Sequence, residues 1–299
     1  MIAERRWGWV RVSKALVTAS FGERLVAAMR ERGPLCVGID PHPSLLERWG
    51  LPVSATGLER FCATVVEALA DRVPVLKPQS AFFERFGSAG IVVLESTIRH
   101  CRAAGALVLL DVKRGDIGST TQAYADAYLD PASPLFVDAI TVNPYLGFGS
   151  LAPFLGQAAK SGAGVFVLAL TSNPEGRQVQ HARTADGKTV AQAVIDAVAK
   201  ENEGRQPLGS VGIVVGATTG STGHDLSRLN GPVLAPGLGA QGARATDLGV
   251  ALAGLDGLIV PSYSRSVLQQ GPDVASLRAA AEAAATECRK IVNIPISAQ

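Results

Sequence analysis

The stretch LVLLDVKRGD at residues 107–116 places four apolar residues directly before Asp111, Lys113 and Asp116. A short continuous apolar run is typical of a strand buried on both faces, as in a parallel sheet. Side chains alternate along a strand, so Asp111 and Lys113 are predicted to point to the same side. Burying an acid and a base together is costly, and proteins accept that cost mainly where chemistry is done. Taken alone, the pattern is equally consistent with a strand that ends in a solvated ion pair.

Apolar runs of this kind recur along the chain and alternate with helical patterns. The predicted strands are 35–40, 73–77, 107–111, 139–143, 165–170, 212–215, 233–236 and 257–260. Helical periodicity is present between them, for example at 58–72, 91–105 and 189–203. Eight strands that alternate with helices predict an α/β fold, the closed (β/α)8 or TIM barrel. The alternative is an open doubly wound sheet, but the segment after the first strand lacks the Gly-x-Gly-x-x-Gly turn of that fold.

Composition narrows the class of protein. The 299 residues are 47% hydrophobic with a formal net charge of +2, which suits one large core and gives no electrostatic case for binding nucleic acid. The four cysteines are far apart, which favours reduced thiols and a cytoplasmic location over disulfides or a zinc site. We find no apolar run of about 18 residues, so no membrane span is predicted. Residues 1–18 are predicted to be a loosely ordered extension, and residues 19–299 a single catalytic barrel.

Polar side chains cluster at the carboxyl ends of the predicted strands, the face on which barrel enzymes carry their active sites. These residues are Asp40, Lys77, Asp111, Lys113, Asn143, Thr171, Ser172, Asn173, Thr218, Thr219, Gln241, Ser262, Ser264 and Arg265. The opposite ends of the strands are predicted to be glycine, proline or apolar. After the last two strands, the glycine-rich segment 236–242 and Arg265 indicate a phosphate site, because backbone N–H groups, a helix N-terminus and a guanidinium all favour an anion.

Together these motifs resemble the orotidine 5′-phosphate decarboxylase family, in particular its longer bacterial (type 2) subclass. The motifs are GIDPH at 38–42, KPQSAFFE at 77–84, FFERFG at 82–87, DVKRGDIGST at 111–120, PGLGAQG at 236–242 and SRS at 264–266. The resemblance covers about residues 20–293. It implies a cytoplasmic, cofactor-free homodimer that converts orotidine 5′-phosphate into UMP and CO2, the last step of de novo pyrimidine nucleotide synthesis.

The chemistry of that reaction assigns roles to the charged residues. Loss of CO2 leaves an anion on C6 in the plane of the pyrimidine, and because no organic cofactor is indicated, the stabilisation must be electrostatic. Lys113 would lie beside the anion and then protonate it. Asp111, Asp116 and Lys77 would keep Lys113 charged. The predicted catalytic residues are therefore Lys77, Asp111, Lys113 and Asp116.

The resemblance also implies how the substrate is bound. The substrate-binding candidates are Asp40, Ile117, Thr120, Ser172, Pro236, Gln241, Ser264 and Arg265. By the family pattern, Asp40 and Lys77 bind the ribose hydroxyls, Ser172 the pyrimidine edge, and Gln241 and Arg265 the phosphate, while Pro236 packs on the ring. Asp116, Ile117 and Thr120 reach the site of the neighbouring subunit.

Two other functions remain open. Related barrels of the ketogulonate-phosphate decarboxylase or hexulose-phosphate synthase kind share the Asp-x-Lys-x-x-Asp pattern but use Mg²⁺, which needs a carboxylate at the end of the second strand. Here that position is Lys77, so no metal site is predicted. A non-catalytic phosphosugar-binding barrel would be expected to lack one of the four charged residues. The sequence does not decide whether 173–188 is a lid over the site or a solvated insertion, and it favours a turn role for His42.

Overall fold

The computed structural model describes residues 19–217, 223–239, 245–252, 254–255 and 257–294. The predicted extension at 1–18 lies outside these ranges, as do the predicted rim residues Thr218, Thr219 and Gln241.

Eight parallel strands close into one barrel, in the order of the sequence. The strands are β1 (Cys36–Ile39), β2 (Val75–Pro78), β3 (Leu107–Arg114), β4 (Ala139–Val142), β5 (Gly164–Leu170), β6 (Val211–Val215), β7 (Gly231–Pro236) and β8 (Gly257–Tyr263). Each observed strand overlaps the strand predicted from its apolar run, and β3 and β8 extend three residues further. The predicted (β/α)8 barrel is confirmed.

Helices surround the barrel. They are α1 (Phe21–Arg32), α2 (Pro43–Arg48), α3 (Ala55–Leu69), α4 (Ala81–Glu84), α5 (Gly87–Ala103), α6 (Gly118–Leu129), α7 (Ala152–Ser161), α8 (Arg177–Gln180), α9 (Val190–Glu201), α10 (Ala245–Ala251), α11 (Arg265–Leu268) and α12 (Val274–Cys288). Their apolar faces pack on the outside of the strands and form the larger of two hydrophobic clusters.

The second hydrophobic cluster fills the inside of the barrel. Helix α1 closes the end of the barrel at which the strands begin, opposite their carboxyl ends. Ser20 caps α1 by accepting the Glu23 N–H, while the Glu23 carboxylate accepts the Ser20 N–H at 2.7 Å. Phe21 of α1 packs edge-on against Phe166 of β5, with ring centroids 5.9 Å apart. This end is therefore a packed core that leaves the carboxyl ends of the strands for the site.

A buried polar residue, Asp138, lies at the closed end of the barrel, directly before β4 and outside the predicted strand. Its carboxylate is 3% exposed and lies 2.6 Å from Arg24 Nη1 and 3.3 Å from Arg102 Nε. It also accepts the Val108 N–H at 2.9 Å. Because two guanidinium groups and a backbone donor neutralise it, this buried acid joins α1 and α5 to the barrel.

The cysteines are unpaired thiols, the state that their wide spacing in the sequence favoured. All four are free and buried. Burial raises the pKa of Cys36 to about 11 and that of Cys62 to about 12, so both stay protonated at neutral pH. In the described ranges, no helix has the length and apolar character needed to cross a membrane.

Candidate active site

A cavity of about 780 Å³ opens at the carboxyl ends of the strands. Its size is that of a site for a small organic ligand. Every strand of the barrel contributes to its wall, either from its last residues or from the loop that follows. The predicted site residues that line it are Asp40, Lys77, Asp111, Lys113, Ser172, Pro236, Ser264 and Arg265.

At the centre of the site, one carboxylate binds two ammonium groups. Asp111 Oδ2 lies 3.0 Å from Lys77 Nζ, and Asp111 Oδ1 lies 2.5 Å from Lys113 Nζ. The Thr141 hydroxyl donates to the same Oδ1 at 2.8 Å. The Lys77 and Asp111 side chains are buried, whereas that of Lys113 is 46% exposed. In this cluster the Lys113 side chain is accessible from the cavity, and the buried Asp111 and Lys77 hold its ammonium in place.

The pKa values of the two buried residues of this cluster, Asp111 and Lys77, are shifted. Burial alone would raise the pKa of Asp111, but the ammonium groups of Lys77 and Lys113 and the hydrogen bonds outweigh it and hold that pKa well below its usual range. Burial alone would lower the pKa of Lys77, but the carboxylates of Asp111 and Asp40 reverse the effect and raise it. Both groups therefore stay ionised through the neutral range.

A bulge in β3 sets the position of Lys113. Leu110 pairs with Ile140 and Arg114 with Val142, so β3 advances four residues while β4 advances two. Within this bulge Lys113 has φ 43°, a left-handed conformation that costs a non-glycine residue roughly 1–2 kcal/mol. Within the described ranges, the other non-glycine residue with positive φ is Asn230, a type that tolerates this region.

The turn after the bulge requires glycine. A Cβ at Gly115 would lie 2.4 Å from the carbonyl oxygen of Asn143, so no larger residue fits without moving the backbone. Arg114 also accepts the Asn143 N–H at 2.8 Å through its carbonyl. The loops after β3 and β4 are therefore joined, and Asn143 contributes to this junction and does not line the cavity formed by the described residues.

The β1 and β8 termini meet beside the charged cluster. The Ser264 hydroxyl donates to Asp40 Oδ2. Asp40 Oδ1 is buried and accepts no hydrogen bond from the described residues, although Asp40 itself lines the cavity. This side of the cavity also contains a cationic end, where Arg265 of α11 is joined by Arg48 of α2. The Trp49 indole N–H donates to the Leu268 carbonyl at 3.1 Å and holds α2 against α11.

The opposite wall combines apolar and polar surface. Leu168 and Leu170 of β5, Val214 of β6 and Leu234 of β7 line the cavity. The polar residues Thr171, Ser172 and Asn173 follow β5 at the same wall. Such a wall suits a flat ring whose faces are apolar and whose edge carries hydrogen-bonding groups. From the undecided segment 173–188, only Asn173 lines the cavity in the part of the chain described.

Asp116, Ile117 and Thr120 do not line the cavity formed by the described residues of their own chain. The Asp116 carboxylate accepts the neighbouring Ile117 N–H at 2.8 Å, and Ile117 is 63% exposed. Two more exposed apolar residues, Tyr145 (75%) and Leu146 (51%), lie in the loop after β4 that contacts the loop of Asp116.

Several cavity residues were missed by the reasoning from sequence. The polar ones are His42, Ser44, Arg48, Gln79, Thr141 and Gln269. His42 packs on Phe82 with ring centroids 4.7 Å apart, which is a wall position as well as a turn position. Gln79 directly follows Lys77–Pro78 at the end of β2, and its place next to a predicted rim residue was a usable signal. No local signal distinguished Thr141, because threonine is common in strands.

In the described ranges, no group of three or more histidine, cysteine, aspartate or glutamate side chains is arranged to hold a metal ion. At the end of β2, where a magnesium-dependent barrel needs a carboxylate, the structure places the Lys77 ammonium against Asp111.

Comparison with known proteins identifies the family. The model of the orotidine 5′-phosphate decarboxylase / HUMPS family matches residues 33–280. The chain belongs to this family. Orotidine 5′-phosphate decarboxylase from Salinispora arenicola is 68% identical over 270 residues, which cover 90% of this chain and 97% of that protein. The enzyme of the same name from Streptomyces coelicolor is 60% identical over 273 residues, or 91% and 98% of the two chains.

A solved structure shows the same relationship in three dimensions. The crystal structure of a Streptomyces avermitilis protein described as an orotidine 5′-phosphate decarboxylase superposes with a TM-score of 0.89 at 57% identity. The match covers 94% of this chain and 99% of that one. The resemblance seen in the sequence motifs is confirmed.

Proposed function

We propose that this member of the orotidine 5′-phosphate decarboxylase family is a carboxy-lyase that converts orotidine 5′-phosphate into UMP and CO2 without a metal or an organic cofactor. The observation that carries the mechanism is the run of alternating charges Lys77–Asp111–Lys113 at the ends of β2 and β3, with the accessible Lys113 ammonium at its cavity end. The catalytic unit is the single barrel of residues 19–299.

The reaction needs a fixed positive charge beside C6. When the bond between C6 and the carboxylate carbon breaks, its electron pair remains on C6 in the ring plane, where the π system cannot delocalise it. The Lys113 ammonium stabilises this charge and then transfers a proton from Nζ to C6 to give UMP. Solvent reprotonates the amine. Because Asp111 and Lys77 are already in place, little reorganisation is needed as the charge develops.

Asp111 has a second effect on the bound substrate. Its carboxylate lies close to the position of the departing CO2 group and disfavours the ionised substrate more than the transition state. This effect is secondary, because the two ammonium groups neutralise much of the Asp111 charge. The principal contribution is the stabilisation supplied by Lys113.

The remaining cavity residues fit the rest of the nucleotide. Asp40 and Lys77, which both line the cavity, bind the ribose hydroxyls, and Ser264 orients Asp40. Ser172 bonds the pyrimidine edge and Pro236 packs on the ring. Arg265 binds the phosphate at the cationic end, together with Gln241, which lies outside the described residues.

Asp116 acts in the site of a second copy of this chain, so the functional unit is a homodimer. Asp116 does not line the cavity formed by the described residues of its own chain, and its loop contacts the loop that carries the exposed Tyr145 and Leu146. Exposed apolar residues grouped in neighbouring loops favour a protein interface. In the dimer Asp116 approaches the partner's Lys113, and Ile117 and Thr120 contact the partner's substrate.

Reducing conditions suit this protein, and we place it in the cytoplasm. Four buried free cysteines are typical of a compartment in which thiols are kept reduced.

One assay tests the reaction and its main alternative. Purified protein is mixed with orotidine 5′-phosphate, and the loss of orotate absorbance is followed with and without EDTA. We expect equal rates in both. Activity lost in EDTA and restored by Mg²⁺ would favour the metal-dependent sugar-phosphate chemistry of related barrels, although Lys77 occupies the position of the metal ligand. Tight binding of the nucleotide without turnover would indicate a non-catalytic barrel.

A further inference from the structure

Thr141 on β4 is a buried residue whose hydroxyl contacts two members of the charged cluster. Its side chain lines the cavity, and the residue is 1% exposed. Its Oγ1 accepts the backbone N–H of Lys113 at 3.0 Å and donates to Asp111 Oδ1 at 2.8 Å. One hydroxyl therefore connects the main chain of Lys113 to the carboxylate that holds the Lys113 ammonium.

We propose that Thr141 is a positioning residue for the decarboxylation: its hydroxyl holds Lys113 in the left-handed backbone conformation and fixes the orientation of Asp111, so that the Lys113 ammonium is directed at C6. This inference rests on the proposed function. Thr141 does not itself react, and its effect passes through Lys113 and Asp111.

The backbone of Lys113 needs a partner of this kind. Lys113 lies in the bulge of β3, where the pairing with β4 skips from Leu110 to Arg114. Its φ of 43° is unfavourable for a lysine, so surrounding contacts must maintain it. The Thr141 hydroxyl accepts this partly buried Lys113 N–H at the irregular point of the ladder, where β4 provides no regular backbone partner.

The orientation of the Asp111 carboxylate depends on the same hydroxyl. Lys77 holds Oδ2, while Lys113 and Thr141 both bind Oδ1. Lys113 is the exposed member of this set, since 46% of its side chain is accessible. Thr141, fixed on a strand and buried, keeps Oδ1 in place when the Lys113 ammonium moves toward C6.

A threonine hydroxyl can accept a backbone N–H and donate to a carboxylate at the same time. Valine has nearly the same shape but provides neither hydrogen bond. Serine keeps both and loses one methyl group. This difference separates the hydrogen-bonding role of Thr141 from its packing role.

The experiment compares Thr141→Val, Thr141→Ser and wild type, with Thr97→Val as a matched control. Thr97 is also buried and its hydroxyl donates to the Val93 carbonyl at 2.7 Å, but it lies on α5 away from the cavity. We measure kcat and KM for orotidine 5′-phosphate, the affinity for UMP and the melting temperature of each variant. Misplacing a reacting group by about 1 Å can cost on the order of 10²-fold in rate, so kcat of Thr141→Val should fall about 10- to 100-fold.

We expect the UMP affinity of Thr141→Val to be retained, Thr141→Ser to recover most of kcat, and Thr97→Val to lower the melting temperature without changing kcat. If Thr141→Val does not fold, Thr141→Ala against Thr141→Ser gives the same comparison. A Thr141→Val variant with wild-type kcat, or a folded Thr141→Ser variant as slow as Thr141→Val, would overturn the positioning role alone. A wild-type protein that leaves orotidine 5′-phosphate unchanged would instead overturn the proposed function.

Discussion

Lys77 Nζ lies 3.0 Å from Oδ2 of Asp111, and only 6% and 8% of the two side chains are exposed. A buried ion pair of this kind is expensive to desolvate and is weak evidence for stability, so its presence requires another reason. Here the pair leaves the second oxygen of Asp111 for the accessible Lys113 ammonium. The buried pair thus holds in place the Lys113 ammonium, the most exposed charge of this cluster.

The first prediction concerns the pH dependence of stability. The pKa of Asp111 is lowered in the folded protein, so its contribution is present above the unfolded value and is lost as pH falls toward the folded one. The pKa of Lys77 is raised, so its contribution is present below the unfolded value and is lost as pH rises toward the folded one. The contribution of the pair should therefore be constant between about pH 4 and pH 10, the unfolded pKa values of the two groups.

Urea unfolding of wild type and of the double variant Lys77→Met/Asp111→Asn measures that contribution. The difference in unfolding free energy should be flat across the neutral range and change at both extremes, with wild type losing stability relative to the variant. Single variants are unsuitable for this comparison. Asp111→Asn leaves the buried Lys77 ammonium without its partner in this pair, a break that costs about 3–5 kcal/mol, whereas Lys77→Met leaves Asp111 paired with Lys113. A difference that varies steadily through neutrality would show that other groups titrate there.

The second prediction is that Lys113→Ala abolishes turnover and leaves product binding largely intact. The ammonium acts on charge that exists only in the transition state, so its loss should lower kcat, by at least about 10³-fold. UMP has no anion at C6, and its affinity should change little. The amount of product that the variant forms in a fixed time gives kcat, and equilibrium titration with UMP gives the affinity for the product.

Lys160→Ala is the control for Lys113→Ala, because Lys160 is an exposed residue near the end of α7. It should have wild-type kinetics. If Lys113→Ala retains activity within about tenfold of wild type, a barrier change of only about 1.4 kcal/mol, Lys113 is not the proton donor.

Much of this site could be predicted from the sequence because parallel strands are buried on both faces. Their apolar runs predicted all eight strands. Lys77 and Asp111 are the last residues of two of these predicted runs, so the sequence placed both at the carboxyl end of the barrel. The alternation rule also placed Asp111 and Lys113 on the same wall. The rule did not show the bulge between them, since a lysine gives no sign that its φ is 43°.

The remaining features depend on contacts between distant parts of the chain. Arg24 reaches Asp138 across 114 positions, so nothing in either local sequence indicates the pair. Thr141 lies in a run that looks like any buried strand, and its role arises from register with β3. Arg48 lines the cavity from α2, which the hydrogen bond between Trp49 and Leu268 connects to α11 across more than two hundred positions of the sequence.

The third prediction tests the shared site. Lys113→Ala and Asp116→Asn are each expected to be inactive as homodimers, but mixed subunits should regain activity. In a heterodimer one composite site carries both substitutions and the other carries neither. After random exchange of subunits, about a quarter of all sites are intact in a symmetric dimer.

Light scattering confirms the dimer, and mass spectrometry of differently tagged subunits confirms exchange. If exchanged subunits show no recovered activity, Asp116 acts within its own chain. Asp126→Asn, on the exposed face of α6, provides a control that should be active alone.

The fourth prediction is that Arg265 binds the phosphate and that this remote contact promotes catalysis as well as capture. A phosphate held at the cationic end gives binding energy that can be used to order the site and exclude water around Lys113. Arg265→Ala should therefore lower kcat/KM for orotidine 5′-phosphate by about 10²- to 10⁴-fold, if the charge-assisted contact contributes about 3–5 kcal/mol. Orotidine, which lacks the phosphate, should be a poor substrate for wild type, and its rate should change little in Arg265→Ala. The control variant Arg60→Ala, at an exposed position on α3, should match wild type with both substrates. Equal slowing of orotidine and of the nucleotide by Arg265→Ala would show that Arg265 supports the structure of α11 and that the phosphate is bound elsewhere.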